Sequence, residues 1–301
     1  MNDVLISIRY KGISMRTEKN GLFLIMDEHN SPNGITDRFK AIVGSYYIAK
    51  CNGIGFHLIH RAGFDMRDYL RPNQVSWSAE LSDISILPWQ TEKISYLPPY
   101  SAVPKLNKEK QYICRKYIGK NNMEIMGVEN WQNKWRELFL ELFTPAQKVV
   151  NALADADIPE HYTAVNVRFI NSLGTFEKTP YNAPLPKEDQ EKLIAAVLNK
   201  ISECQETAES PIIVSSDNIR FLDIAAEKGF RTIDPTGTGH IMNPGVDELV
   251  YLKTFVNFFL LTRADKIISV LNVEGVPKRS LYKTQYPRYA AIVGNKPFIR
   301  V

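Results

Sequence analysis

The second half of the chain sets the narrowest limits on what it can fold into. From Thr163 it alternates short apolar runs with longer segments of helical period. The runs at 163–169, 211–215, 230–233 and 266–270 read as strands, and the segments at 187 to about 204, 218–228 and 247–262 read as helices, with a short helix near 289–293. Strands joined by helices of this length pair in parallel, because only a long crossover returns the chain to the same end of a sheet. The expectation is a doubly wound parallel sheet.

The first half shows the same grammar once. Residues 22–26 read as a strand, and 27–34 as a turn-rich loop. From Thr36 the apolar positions Phe39, Ile42, Val43, Tyr46 and Tyr47 fall at helical spacing until Gly53. Thr36 is placed to cap that helix, with Asp37 in its first turn. Residues 54–59 supply the next strand. The stretch 61–129 is weaker in signal. Residues 67–71 suggest a short helix stopped by Pro72, 111–118 a strand, and 4–8 has the composition of one. Residues 133–143 and 145–153 are amphipathic and helical, split where Thr144 can cap and Pro145 can open the second helix. Residues 154–161 read as a linker. The fold expected is α/β, two Rossmann-like domains over 1–155 and 156–301, with parallel sheets facing a cleft.

Composition removes several function classes. The 301 residues hold one large or two medium domains, and 44% hydrophobic with 23% charged residues is ordinary for a globular protein. A formal charge of +4, dispersed along the chain, does not argue for nucleic acid. Cys51, Cys114 and Cys204 are too scattered for a disulfide framework or a zinc site, and each reads as a small packed hydrophobe. No apolar run approaches the roughly 20 residues that span a bilayer, and the first residues lack a signal-peptide pattern. The expected location is the cytoplasm, with any membrane association made through a partner.

Three loops of the second half follow strands and should crowd one sheet edge. The first begins with Arg168, directly after the buried run ending at Val167, and continues through Ser172, Gly174 and Thr175 to Glu177. An arginine there stands where ligands of open α/β sheets collect, with a fork shaped for phosphate. The alternative is a surface arginine paired with a carboxylate. The second loop is Ser215, Ser216 and Asp217, where Asp217 can cap the following helix, accept from a purine or ribose, or do both. The third is Thr284, Gln285, Tyr286, Pro287 and Arg288. Hydroxyls, guanidinium groups and a helix N-terminus together can hold a diphosphate. In the first half, the loop at Gly34 can offer backbone N–H groups to an anion or be an ordinary capped turn. Trp131 and Trp135, four apart, read as core packing rather than a sugar platform. His240 reads as a solvated loop residue, and no residue cluster has metal-ligand spacing.

These residues resemble the fucosyltransferase-like GT-B glycosyltransferases, the nodulation-factor and N-glycan core fucosyltransferases and their bacterial relatives. The family's H-V-R strand end is matched by Asn166, Val167 and Arg168, and its V-G-T-E segment by Leu173, Gly174, Thr175, Phe176 and Glu177. Its T-D-D is matched by Ser215, Ser216 and Asp217, and its late serine-rich loop before an R-x-A helix by Thr284 to Ala290. Its G-L-G-[DN]-R element is matched by Gly34, Ile35, Thr36, Asp37 and Arg38. The resemblance spans most of residues 22–299 and implies inverting, metal-independent transfer from a GDP-sugar, fucose by preference, to a glycan hydroxyl. It implies acceptor binding by the first domain and donor binding by the second. Arg168 would stabilise the leaving diphosphate, a kind of contact worth about 3 kcal/mol of barrier, and Glu177 would take the acceptor proton. Asn166, Gly174, Thr175, Ser216, Asp217, Thr284, Gln285, Arg288, Gly34 and Arg38 would contact the donor. The chain departs from the pattern in three replacements and one shift. Asn166 replaces histidine, Phe169 a second arginine and Ser172 a lysine, while Glu177 lies one position late, with Asp27, Glu28 and Asp37 as spare carboxylates. The lost charges leave room for a non-catalytic binder of nucleotide sugar or glycan, or a structural partner in polysaccharide assembly.

Overall fold

β1 (Gly21–Met26) is apolar along its whole length and buried at all six residues, as a strand covered on both faces requires. The computed structural model describes residues 19–28, 34–94, 102–115, 122–174, 183–233, 248–277 and 280–301. The chain divides into two units, residues 1–146 and 147–301.

In the first unit β1 is followed by α1 (Ile35–Asn52), β2 (Phe56–His60), β3 (Leu70–Pro72), β4 (Thr91–Ile94), β5 (Gln111–Cys114), the short α2 (Asn122–Ile125), α3 (Trp131–Leu142) and β6 (Phe143–Pro145). The main sheet is parallel in the order β2-β1-β5-β4. α1 ends as expected: Gly53 adopts φ 62° and returns its N–H to the last helical carbonyls. Its start differs. Gly34, extended, is the N-cap, so Thr36 lies inside the helix and its buried hydroxyl has no partner among the described residues. The expected helix at 67–71 is a 3-10 turn, Met66–Asp68, followed by β3.

Thr144 and Pro145 also depart from expectation. They belong to β6, which pairs antiparallel with β3, and the next helix starts only at Gln147. Proline tolerates such a two-stranded ribbon because it needs no ladder donor at an edge. Trp135 is fully buried and stacks on Phe139 at 5.4 Å, a core role.

The second unit comprises α4 (Gln147–Asp155), β7 (Thr163–Val167), α5 (Lys187–Glu206), β8 (Ile212–Ser216), α6 (Ile219–Glu227), β9 (Arg231–Thr232), α7 (Glu248–Arg263), β10 (Lys266–Val270), α8 (Tyr286–Gly294) and β11 (Phe298–Arg300). All five strands are parallel, in the order β11-β10-β7-β8-β9. The chain winds outward from β7 to β9 and then crosses back to β10. The β7/β10 junction is therefore a topological switch point, where an open α/β sheet leaves a crevice beyond its carboxyl ends. Both units are thus Rossmann-like α/β layers, and the second has a doubly wound strand order.

Val165, Val167, Val214, Ile268 and Val270 form one face of this sheet and join a core cluster with α5 and α6. α8 packs on β10, β11 and α7. A Cβ on Gly294 would stand 2.2 Å from the carbonyl oxygen of Thr262, so the close crossing of α8 over the end of α7 requires glycine there. β11, a three-residue edge strand, has no counterpart in the sequence reading. Cys114 and Cys204 are buried as expected, whereas Cys51 is exposed. Among the described residues, no helix is long and apolar enough to cross a membrane.

Candidate functional site

β7 delivers Arg168 to the sheet edge beside the switch point. Its side chain is 27% exposed, and its Nε lies 3.9 Å from Asp217 Oδ2, an ionic contact rather than a hydrogen bond. Asp217 does not cap α6. That role falls to the next residue, Asn218, whose Oδ1 accepts from Phe221 N at 3.0 Å. Asp217 instead turns back to the loop after β7, where its two oxygens accept from the amides of Phe169 and Ile170 at 2.9 and 2.8 Å.

The loop so held is strained. Ile170 adopts φ 53°, a left-handed conformation that a β-branched residue rarely takes. Strain of this kind persists only where the surroundings over-determine it, and it gathers at ligand sites. The carboxylate of Asp217 is 6% exposed. Burial pushes its pKa above the ordinary range, against the pull of Arg168 and the two amides.

The third loop joins the same edge. Tyr282 N donates to Arg168 O at 2.8 Å, and Ser172 Oγ donates to Ser280 O at 2.8 Å. Thr284 Oγ1 accepts from Tyr286 N at 3.1 Å at the start of α8. Tyr286 donates its hydroxyl to Thr254 O, and burial drives its pKa far above the ordinary range while the charge of Arg168 opposes. Pro287 and Arg288, expected in the loop, are already within α8.

Asn166 is buried and donates to Ser215 Oγ at 2.9 Å, and Ser216 Oγ accepts from Asn218 N. Gly174 adopts φ 84° and donates to Asn171 O. Arg168, Asp217, Ser172 and the residues before α8 are therefore one stitched group. Thr175, Glu177 and His240 lie outside the described residues, as does the segment at 4–8.

In the first unit Arg38, expected as a donor contact, is turned into the interior. It is fully buried, its Nη1 donates to His60 Nε2 and to Ala62 O, both at 2.9 Å, and its guanidinium lies 5.0 Å from the Phe64 ring centroid. An arginine always donates, so Nε2 accepts and His60 carries its proton on Nδ1, bonded to Phe64 O at 2.9 Å. Burial, and secondly the charge of Arg38, depress the His60 pKa to about 3.

Beside this knot, at the carboxyl ends of β1 and β2, lies a cavity of about 360 Å³. Its charged lining is largely self-satisfied. Arg67 forks to Asp65 and also reaches Glu80, which Arg61 meets in turn. Glu28 lines the same cavity, whereas the other spare carboxylates are engaged, Asp27 by Arg115 and Asp37 by Lys40. Sequence reasoning missed the cavity, the strained Ile170 and the inward turn of Asp217. The adjacent cap formers Asp217 and Asn218 were the only available signal.

Two Rossmann-like units with parallel sheets make a GT-B-like α/β fold. Structural comparison gives the likeness a particular form. The chain is similar to NodZ alpha-1,6-fucosyltransferase soaked with GDP-fucose, with a TM-score of 0.56 over 91% of this chain and 93% of that one at 10% identity. The same enzyme co-crystallised with GDP gives 0.56 at 11% identity over 90% and 92%, and a third structure, fucosyltransferase NodZ from Bradyrhizobium, gives 0.56 at 11% identity over 90% and 93%. No protein-family model matches the sequence, and no curated protein does. At this identity the shared property is the fucosyltransferase-like fold.

Proposed function

We propose that the chain is a glycosyltransferase that takes a GDP-sugar, fucose by preference, in its second unit and passes the sugar to a glycan hydroxyl with inversion. One observation carries the reading: a partly open guanidinium, Arg168, at the carboxyl end of β7 beside the switch point. Its fixed charge suits the growing negative charge of a departing diphosphate. The whole-chain likeness to structures holding GDP-fucose and GDP supports the choice of donor. Asn166, Gly174, Thr175, Ser216, Thr284, Gln285 and Arg288 are the proposed donor contacts. Glu177 is the proposed base, and Glu28, beside the first-unit cavity, its rival. That cavity supports placing the acceptor in the first unit. No step of this reading draws on a metal ion.

Arg168→Ala tests it. GDP affinity measured by calorimetry should fall at least about tenfold, as loss of a charge-assisted contact implies, and transfer should cease. Equal GDP affinity in wild type and variant removes the site. A second reading is a non-catalytic binder. It is favoured by Phe169, which is 1% exposed and packs on Phe221 at 4.8 Å, an apolar core residue where the family pattern has a second cation. GDP binding without donor hydrolysis or transfer would select that reading.

A further inference from the structure

One transverse row of the second sheet is polar. Ser215 on β8, Asn166 on β7, Ser269 on β10 and Arg300 on β11 stand directly opposite one another in register. Opposed residues share a face, and alternate residues along a strand change face. Val165, Val167, Val214, Ile268 and Val270 point to the α5/α6 cluster, so the polar row points the other way. No residue of α7 or α8 joins that cluster, and α8 packs on β10 and β11. Ser215, Asn166 and Ser269 are at most 8% exposed.

The hydrogen bonding of this row and of Gln285, at the start of α8, is incomplete among the described residues. Asn166 Oδ1, Gln285 Oε1 and Arg300 Nε and Nη2 are buried atoms without a partner. Arg300 has the Phe298 ring 5.1 Å from its guanidinium carbon. Arg288, in the first turns of α8, brings a second positive charge close by. Burial and that neighbour hold the Arg300 pKa below the ordinary arginine range. Two guanidinium groups drawn together, one with buried N–H donors unused, are suited to an anion that bridges them. The nine-residue α8 adds the positive end of its dipole to the same neighbourhood.

We infer that Arg300 and Arg288 form a second cationic subsite, which holds a phosphate of the nucleoside diphosphate whose other phosphate meets Arg168. The inference rests on the donor reading above and adds Arg300 to it. The charge absent at Phe169 is supplied from the far end of the sheet.

Calorimetric titration of the full chain with GDP and with inorganic pyrophosphate tests it, using wild type, Arg300→Gln and Arg288→Gln. Each variant should bind both probes at least about tenfold more weakly. The unliganded melting temperature of Arg300→Gln should hold or rise, because a repulsion is removed. A merely structural arginine would lower it. Wild-type affinity for both probes in Arg300→Gln overturns the inference and leaves the donor reading standing. If Arg300→Gln fails to fold, Arg300→Met decides by the same criterion. Wild type that binds pyrophosphate but no nucleoside diphosphate, with loss in the variants, keeps the subsite and removes the donor reading. Wild type that binds neither probe removes both.

Discussion

Arg38 in the first unit and Arg168 in the second both stand near the carboxyl ends of parallel strands, and the two surroundings differ in every other respect. Arg38 is fully buried, held by a histidine ring, a carbonyl and an aromatic face. Arg168 keeps 27% of its side chain open and has its carboxylate partner only at 3.9 Å. A charge sealed with its partners contributes to the fold and leaves nothing for a ligand. A charge left partly exposed, beside a strained loop, can still be reached by a ligand. Proximity to a sheet edge therefore does not make a site. A charge at that edge that remains reachable does.

The strongest way to break this contrast is Arg38→Leu. If Arg38 is structural, its loss leaves His60 Nε2 and Ala62 O unpaired in the interior and should cost about 3–5 kcal/mol. All four tryptophans lie in the first unit, so their fluorescence during urea unfolding reports that unit. GDP affinity of the folded fraction should not change. A stable variant that loses GDP would make Arg38 a ligand contact and end the comparison.

Much of the second unit was legible because its strands and helices differ in period. β10 runs over Lys266–Val270 as read, and Arg168 leaves β7 as read. The misplaced features are those whose outcome depends on distant residues. Whether Arg38 is sealed depends on His60 and Phe64, more than twenty residues away. Asp217 and Asn218 can each cap a helix, and only the strained loop at Ile170 decides which one does. β6 and β11 have three residues each, too short for a periodic signal. Arg300 was passed over because its significance lies in register with Ser269 and Asn166, which no local pattern records.

A pH titration sharpens the contrast next. The His60 pKa is about 3 in the fold against an ordinary 6.5. Between those values the unfolded chain binds a proton that the folded chain refuses, so stability is complete above about pH 6.5 and declines as pH falls toward 3. At pH 4.5 the loss should be on the order of 2–3 kcal/mol, at 1.36 kcal/mol per unit. His60→Gln can accept from Arg38 and donate to Phe64 O without titrating, and should lessen the slope of tryptophan-detected stability between pH 6.5 and 4.5, leaving the share of His57, whose pKa burial also lowers. An unchanged slope in that variant would show that His60 is not the sealed neutral group described here. The second unit lacks such a histidine among its described buried residues.

The smallest effect is expected at Asp217, for a reason opposite in sign. Its pKa is raised in the fold, chiefly by burial, so the folded chain favours the protonated form, and stability is lost as pH rises from the ordinary value through the raised one. The ionised carboxylate is thus held at a cost near neutral pH. Asp217→Asn removes that cost and also removes one of two amide acceptors, since the Asn NH₂ faces a backbone N–H that it cannot accept. The two changes oppose each other, and the net stability change should stay within about 1 kcal/mol. The local consequence should be larger than the global one. Nothing then fixes both Phe169 N and Ile170 N, and the left-handed φ of Ile170 loses its support. Hydrogen exchange of a peptide spanning 168–173 should accelerate about tenfold or more while the core strands keep their protection. Protection as in wild type would mean that the loop holds its shape without the carboxylate, and that the strain beside Arg168 is stored elsewhere.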